Sequence, residues 1–357
     1  MSNRAERLTA LLAPAEVDVM LVSDQVNLRY LTGYTGDNGL ALVGPSTRTF
    51  ITDFRYVEQA AEEVDSSFER RQASLDLLEA VEDALAGGSV RLGFEDASLS
   101  VLTHGRLREL LGSRVELVAA GKLVEQLRAV KEPGEVARIR AAAALADEAF
   151  QNLLAAGLVG RTERNLALEL ERELRLRGAR RPSFEAIVAA GPHGALPHAQ
   201  PRDVVVGPVQ LVVIDWGAEL DGYCSDCTRT VATGELGEDA ARVYELVLEA
   251  QVKGVEAVAA GRSARDVDGV AREVIEAGGH GDHFGHGLGH GVGIAVHESP
   301  RLSQRSDDEL CAGNVVTVEP GVYLPGQFGV RIEDLVVVTD GGCEILTSIA
   351  KELIVVD

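Results

Sequence analysis

The chain has 357 residues, 46% of them hydrophobic and 25% charged, enough apolar material for two cored domains rather than one. Its formal net charge of −22 argues against a nucleic-acid or anionic-membrane surface, since either needs stripes of lysine and arginine. No apolar run approaches the roughly 18–20 residues of a membrane span, and the N-terminus lacks an apolar stretch followed by a small-residue cleavage site, so a cytoplasmic protein is expected.

Residues 1–122 read as an α/β domain. Short apolar runs predict strands at VDVMLVS, GLALVG and RTFITD, and later at SVRLGFE and RVELVAA. Helical patterns occupy TALLAPA, FRYVEQAAEEV, SLDLLEAVEDALAGG and SVLTHGRLRELLG. Neither a phosphate-binding loop nor a catalytic cluster accompanies them.

The segment AGKLVEQLRAVKEPGEVARIRAAAA marks the junction to a second domain, residues 123–357. Pro133 suits the first turn of a long amphipathic helix reaching about Ala156. From there the chain repeats coarsely. Helices near 134–156 and 162–177 lead into one acidic hairpin; helices near 238–260 and 263–277 lead into a histidine- and glycine-rich segment and a second acidic hairpin. The expected second domain is α+β, built from two related helix–helix–hairpin halves.

The first hairpin is LVVIDWGAELDGYCSDCTRT. Asp221-Gly222 is a strong two-residue turn signal. With that turn, Leu220 pairs with Tyr223 and Gly217 with Asp226. Asp215 and Asp226 then become diagonal neighbours on one face, roughly 7–8 Å apart at the backbone. In VVTVEPGVYLPGQFGVRIEDLVVV, Glu319 and Glu333 are symmetric about Gly326, and a hairpin centred on LPGQFG sets them directly opposite. Like charges so placed destabilise a sheet unless a cation neutralises them. Cys224 and Cys227 form one C-x-x-C within a predicted strand, where residues three apart face opposite sides, so they read as plain strand cysteines.

Seven of the eight histidines lie between His193 and His297, five of them in HGDHFGHGLGHGVGIAVHE: His280, His283, His286, His290 and His297. The spacing matches neither G-x-G-x-x-G nor H-E-x-x-H. Four carboxylates with an imidazole make an oxygen-rich donor set suited to two divalent ions about 3.5–4 Å apart. Manganese is the first choice, with cobalt or zinc as alternatives. Such ions turn a shared water into a nucleophile near neutral pH, chemistry that hydrolyses amides and phosphate esters.

At this point the sequence resembles the "pita-bread" metallopeptidases: methionine aminopeptidase, Xaa-Pro aminopeptidase and Xaa-Pro dipeptidase (prolidase). The matching segments are PSFEAIVAAGPHGALPHA, VVIDWGAELDGYCSDCTRT, HGLGHGVGIAVHESPRLS, VVTVEPGVY and GVRIEDLVVVT. The N-terminal α/β domain is similar to that of the proline-specific and creatinase branch. The resemblance implies a pita-bread fold for the second domain and Asp215, Asp226, His290, Glu319 and Glu333 as metal ligands, with Asp226 and Glu333 bridging. It implies Glu319 as general base, His198 and His297 as histidines lining the substrate site, and Arg331 as a substrate-site arginine. It also implies a small peptide substrate with proline at the second position, whose tertiary amide has no N–H for an enzyme to grip. Arg301, in HESPRLS, matches an arginine of compact prolidases, where a guanidinium fork suits the free carboxylate of a dipeptide. The expected activity is therefore an Xaa-Pro dipeptidase, with Xaa-Pro aminopeptidase as the alternative. A creatinase-type amidinohydrolase and a non-catalytic interaction module are more distant readings. A homodimer is expected by resemblance.

Overall fold

Alternating apolar runs build a six-stranded mixed sheet in the first part of the chain. The computed structural model describes residues 4–74, 76–85 and 88–356. They divide into two units, one ending at Arg128 and the other beginning at Ala129. No helix among the described residues is long and apolar enough to cross a membrane.

In the first unit the elements run α1 (Arg4–Leu12), β1 (Val19–Val22), α2 (Gln25–Thr32), β2 (Leu40–Val43), β3 (Arg48–Thr52), α3 (Val57–Glu63) and β4 (Glu69–Gln72). They continue with α4 (Leu77–Ala84), β5 (Val90–Phe94), α5 (Val101–Leu111), β6 (Val115–Ala119) and α6 (Leu123–Ala129). The strand order is β4-β3-β2-β1-β5-β6. Positions 75, 86 and 87 of the helix expected at 74–88 lie outside the described residues.

Three local details differ from expectation. The first helix is Arg4–Leu12 rather than 9–15. Ala5, Leu8 and Leu12 form its buried stripe, and Pro14 ends it, because proline cannot continue the hydrogen-bond ladder. Helix α2 was not expected. It is set by its ends: Asp24 accepts from the amides of Val26 and Asn27, and Gly33 closes it at φ +84°. Strand β4 reads ERRQ and is mostly exposed, so it carries no apolar alternation; its place is a sheet edge beside β3.

The second unit runs α7 (Pro133–Ala155), α8 (Glu163–Leu176), β7 (Arg181–Pro182), β8 (Ile187–Ala190), β9 (Leu211–Trp216), β10 (Ala218–Leu220), β11 (Tyr223–Cys224) and β12 (Cys227–Ala232). Then follow α9 (Glu238–Ala257), α10 (Ala264–Ala277), β13 (Gly289–Gly291), β14 (Glu298–Leu302), β15 (Val315–Val318), β16 (Gly321–Leu324), β17 (Phe328–Arg331), β18 (Asp334–Thr339) and β19 (Gly342–Ile345). Two helical pairs each cover their own sheets. Phe150, Leu153, Leu166 and Leu170 of α7 and α8 pack on Val212, Ile214 and Trp216 of β9. Val247, Val267 and Ala271 of α9 and α10 pack on Val316, Val318, Val336 and Val338. Trp216 is fully buried, donates its indole N–H to the Ala146 carbonyl at 2.9 Å and stacks on Phe150 with ring centroids 3.9 Å apart. Such a stack adds about 0.5–1.5 kcal/mol beyond the area it buries.

Side-chain alternation then decides which residues face away from the helices. With Val212, Ile214 and Trp216 turned to the helical layer, Asp215 must point to the opposite face. The turn behaves as expected: Asp221 and Gly222 both have positive φ, 49° and 81°, and Leu220 pairs with Tyr223. The same register continues through Cys227 opposite Trp216 and Thr228 opposite Asp215. The ladder is nevertheless broken at Gly217 and Asp226, so this hairpin contributes to two sheets. A Cβ on Gly217 would lie 2.0 Å from the Ser225 carbonyl oxygen, so the close crossing at the break requires glycine. The second hairpin breaks alike. Leu324 pairs with Phe328 and Gly321 with Arg331 in one sheet, Val318 with Asp334 in the next, and Glu319 and Glu333 sit at the gap. After β19, a C-terminal strap bonds back to both halves: the Leu346 amide donates to Leu335, and the Val356 amide to Ala232.

Candidate metal centre

The broken hairpins bring their acids to one cavity of about 620 Å³. Carboxylate oxygens of Asp215, Asp226 and Glu333 lie within 4.8 Å of one another. His290, on β13, places Nε2 3.5 Å from Asp226 Oδ2 and 3.4 Å from Glu319 Oε1. His198, His297 and Arg301 are exposed residues of the same cavity wall, and Arg331 lines its floor. Every site residue expected from the sequence therefore borders this one cavity. His280 and His283 do not border it; they pack against each other, ring centroids 5.5 Å apart.

The donor chemistry asks for a cation. His290 Nδ1–H donates to the Gly291 carbonyl at 3.1 Å, because a carbonyl can only accept. Burial pushes its imidazolium pKa down, so the ring is neutral and the Nε2 lone pair faces two carboxylate oxygens. An ionised carboxylate facing that lone pair is repulsive until a proton or a metal ion stands between them. Asp215 Oδ1 and Glu333 Oε1 are buried without a hydrogen-bond partner, and ligation would satisfy both. The two strand cysteines are no part of this. Their thiols donate to the carbonyls of Ile294 and Glu333, and burial pushes Cys224 up to about 12 and Cys227 well above its usual value, so both stay protonated.

Around the acids runs a hydrogen-bonded frame. Arg331 donates to Asp215 Oδ2 at 2.8 Å, to Tyr323 Oη at 2.9 Å, to Thr228 Oγ1 at 2.9 Å and to the Pro197 carbonyl at 3.1 Å. The Thr228 hydroxyl in turn donates to Glu333 Oε2 at 2.8 Å. Thr317 donates to Glu319 Oε1 at 3.1 Å and accepts from the His290 amide at 3.0 Å. His286 Nδ1–H donates to Gly287, which leaves Nε2 to accept from the Tyr323 hydroxyl at 2.9 Å. His286 and Tyr323 were given no role from sequence. The available signal was their position inside HGLGH and EPGVY, the segments that also carry His290 and Glu319.

The profile of Metallopeptidase family M24 matches residues 137–340, and that of the Creatinase/Prolidase N-terminal domain matches residues 4–130. This chain is a member of metallopeptidase family M24. It is 34% identical over 358 residues to the Xaa-Pro dipeptidase of Pyrococcus horikoshii, covering 99% of both chains. The solved structure of an Xaa-Pro dipeptidase from Bacillus anthracis superposes with a TM-score of 0.95 at 38% identity, over 99% of each chain. An X-Pro aminopeptidase from Thermotoga maritima superposes with a TM-score of 0.89 at 37% identity, over 99% of this chain and 100% of that one. The family's fold is thus the pita-bread architecture that the resemblance implied, preceded by the α/β domain, and its chemistry implies divalent metal ions at the acidic cluster.

For an M24 enzyme the electrostatics predict a pH-dependent metal affinity. Burial first, then the neighbouring carboxylates, hold Asp226 and Glu333 well above the usual carboxylate range; burial also raises Glu319. A raised pKa means that the folded, metal-free site keeps protons where an unfolded carboxylate has lost them. These groups contribute stability below the ordinary carboxylate range, and that contribution is lost as pH rises through the raised values. A divalent ion must displace those protons, so its affinity rises with pH and protons are released. Calorimetric titration of metal-free protein with manganese from pH 6 to 8, in two buffers of different ionisation enthalpy, should show both effects. Affinity independent of pH, with no proton release, would contradict them.

Proposed function

We propose that this chain is an Xaa-Pro dipeptidase working with two divalent ions, manganese first among them, held by Asp215, Asp226, His290, Glu319 and Glu333. The observation that carries the reading is His290 Nε2 facing the carboxylates of Asp226 and Glu319 at 3.5 and 3.4 Å, with the two further acids Asp215 and Glu333 converging beside them. Bound there, two such ions polarise the scissile carbonyl and acidify a water to near-neutral pKa. Glu319, partly exposed in the gap just after β15, accepts the proton of the attacking water. His198 and His297, on the cavity wall, donate to the oxyanion that develops on the carbonyl and hold the peptide. Arg331 fixes Asp215 through a charge-assisted bond. Arg301, exposed on the same wall, offers its guanidinium to the free carboxylate of a dipeptide.

The similarity to the Thermotoga maritima X-Pro aminopeptidase supports a second reading, cleavage of longer peptides. One assay separates the two. With manganese added, Ala-Pro should be hydrolysed faster than Ala-Pro-Ala, and Arg301→Ala should raise KM for Ala-Pro more than for the tripeptide. Faster cleavage of the tripeptide would move the assignment to the aminopeptidase. We further infer a cytoplasmic homodimer; the four free thiols among the described residues support the compartment, and light scattering tests the dimer.

A further inference from the structure

Behind the ligand strands lies a second buried polar cluster that the chemistry above does not use. On β12, which begins directly after Asp226, Thr228 and Thr230 are directed towards the acids, so Cys227, Arg229 and Val231 are directed into the helix-covered layer. Arg229 is only 1% exposed. Its guanidinium donates to the backbone carbonyl of Glu333, to Asp334 Oδ1 at 2.8 Å, and to the carbonyls of Ile349 and Ala350 in the C-terminal strap. Asp334, equally buried on the back of β18, also accepts from Thr347 at 2.9 Å and Gln251 at 2.9 Å and pairs with Lys351 at 3.0 Å.

This places one planar cation three residues after Asp226 and directly on the peptide of Glu333. The two carboxylates directly precede strands of different sheets, Asp226 before β12 of β12-β9-β8 and Glu333 before β18 of β14-β13-β15-β18-β19. Between them, the Glu333 amide donates to the Thr228 carbonyl at 3.1 Å, and Arg229 takes the other side of the same residue through its carbonyl. Glu333 is thus held at both its N–H and its C=O by the strand that follows directly on Asp226. A guanidinium can do this because its donors fan out in a rigid plane; an ammonium concentrates its donors on one atom.

We propose that Arg229 is a positioning residue for the metal centre, setting the separation of Asp226 and Glu333 from behind and making the C-terminal strap part of the site's support. The inference rests on the dinuclear reading above. Its test is manganese binding to metal-free protein, followed by calorimetry, for wild type, Arg229→Lys and Thr347→Val. Arg229→Lys keeps the charge beside Asp334 but cannot reach all the carbonyls. It should weaken manganese binding by roughly the 10–100-fold typical of residues that orient ligands, while KM for Ala-Pro at saturating manganese stays near wild type. Thr347→Val removes one donor from Asp334 and should weaken binding several-fold with the circular dichroism unchanged. Should Arg229→Lys fail to fold, Thr347→Val decides alone. Wild-type affinity in a folded variant, with only the metal-free melting temperature lowered, would make the cluster structural and overturn the proposal. Absence of manganese binding in the wild type would instead overturn the dinuclear reading itself.

Discussion

Asp226→Asn should fold, lose at least one divalent ion and lose nearly all peptidase activity. The side chain sits at the break between β11 and β12, buried, facing Asp215, Glu333 and His290 Nε2. Asparagine keeps the shape and removes the charge. In the metal-free protein that change relieves a carboxylate which burial and its acidic neighbours already disfavour, so the metal-free melting temperature should hold or rise. With metal the balance would reverse, because a neutral amide oxygen is a poorer ligand for a divalent cation than a carboxylate. Losing a partner that merely orients a ligand costs about 10–100-fold, so loss of a ligand itself should exceed ~100-fold in turnover. Elemental analysis and kcat on the same preparation decide it; full occupancy with full turnover would remove Asp226 from the centre.

Arg331→Lys should cost about 10–100-fold in kcat/KM or metal affinity, the range for a residue that orients a ligand. The guanidinium is buried and holds Asp215, Tyr323 and Thr228 at once, and through Thr228 it reaches Glu333. Lysine preserves the charge near Asp215 but cannot span the other two oxygens. Arg331→Met should be worse. It leaves the half-buried Asp215 and the buried Tyr323 without their donor, and breaking one side of a fully buried pair costs about 3–5 kcal/mol, an upper bound here. Manganese should therefore protect the Met variant against heat more than it protects wild type, because a cation replaces part of the lost charge. If Arg331→Lys matches wild type in both kcat/KM and metal content, Arg331 is only a structural ion pair.

The hairpin geometry was legible because it depends on residues close in sequence. Asp221-Gly222 specified the turn, and counting back by twos put Asp215 and Asp226 on one face, as the pairing of Leu220 with Tyr223 requires. The breaks in the two ladders were not legible. The first depends on Gly217 passing close to Ser225, a contact across the hairpin that no periodicity shows. Helix α2 escaped notice for a related reason: its buried Asn27, bonded to Glu95 and Arg128, interrupts any apolar stripe. The bond from Tyr323 to His286 spans 37 residues, and only the folded sheets bring that hydroxyl to that imidazole. The four converging carboxylates could be picked out from local pattern, whereas the frame that holds them is a product of tertiary structure.

Trp216 is the chain's single tryptophan, and it follows Asp215 directly. All indole fluorescence therefore originates one residue from the acidic cluster, from a ring shielded from water and stacked on Phe150. Its emission is an intrinsic optical reporter of β9, free of background from any other indole, and loading of the site can be followed in real time without attaching a dye.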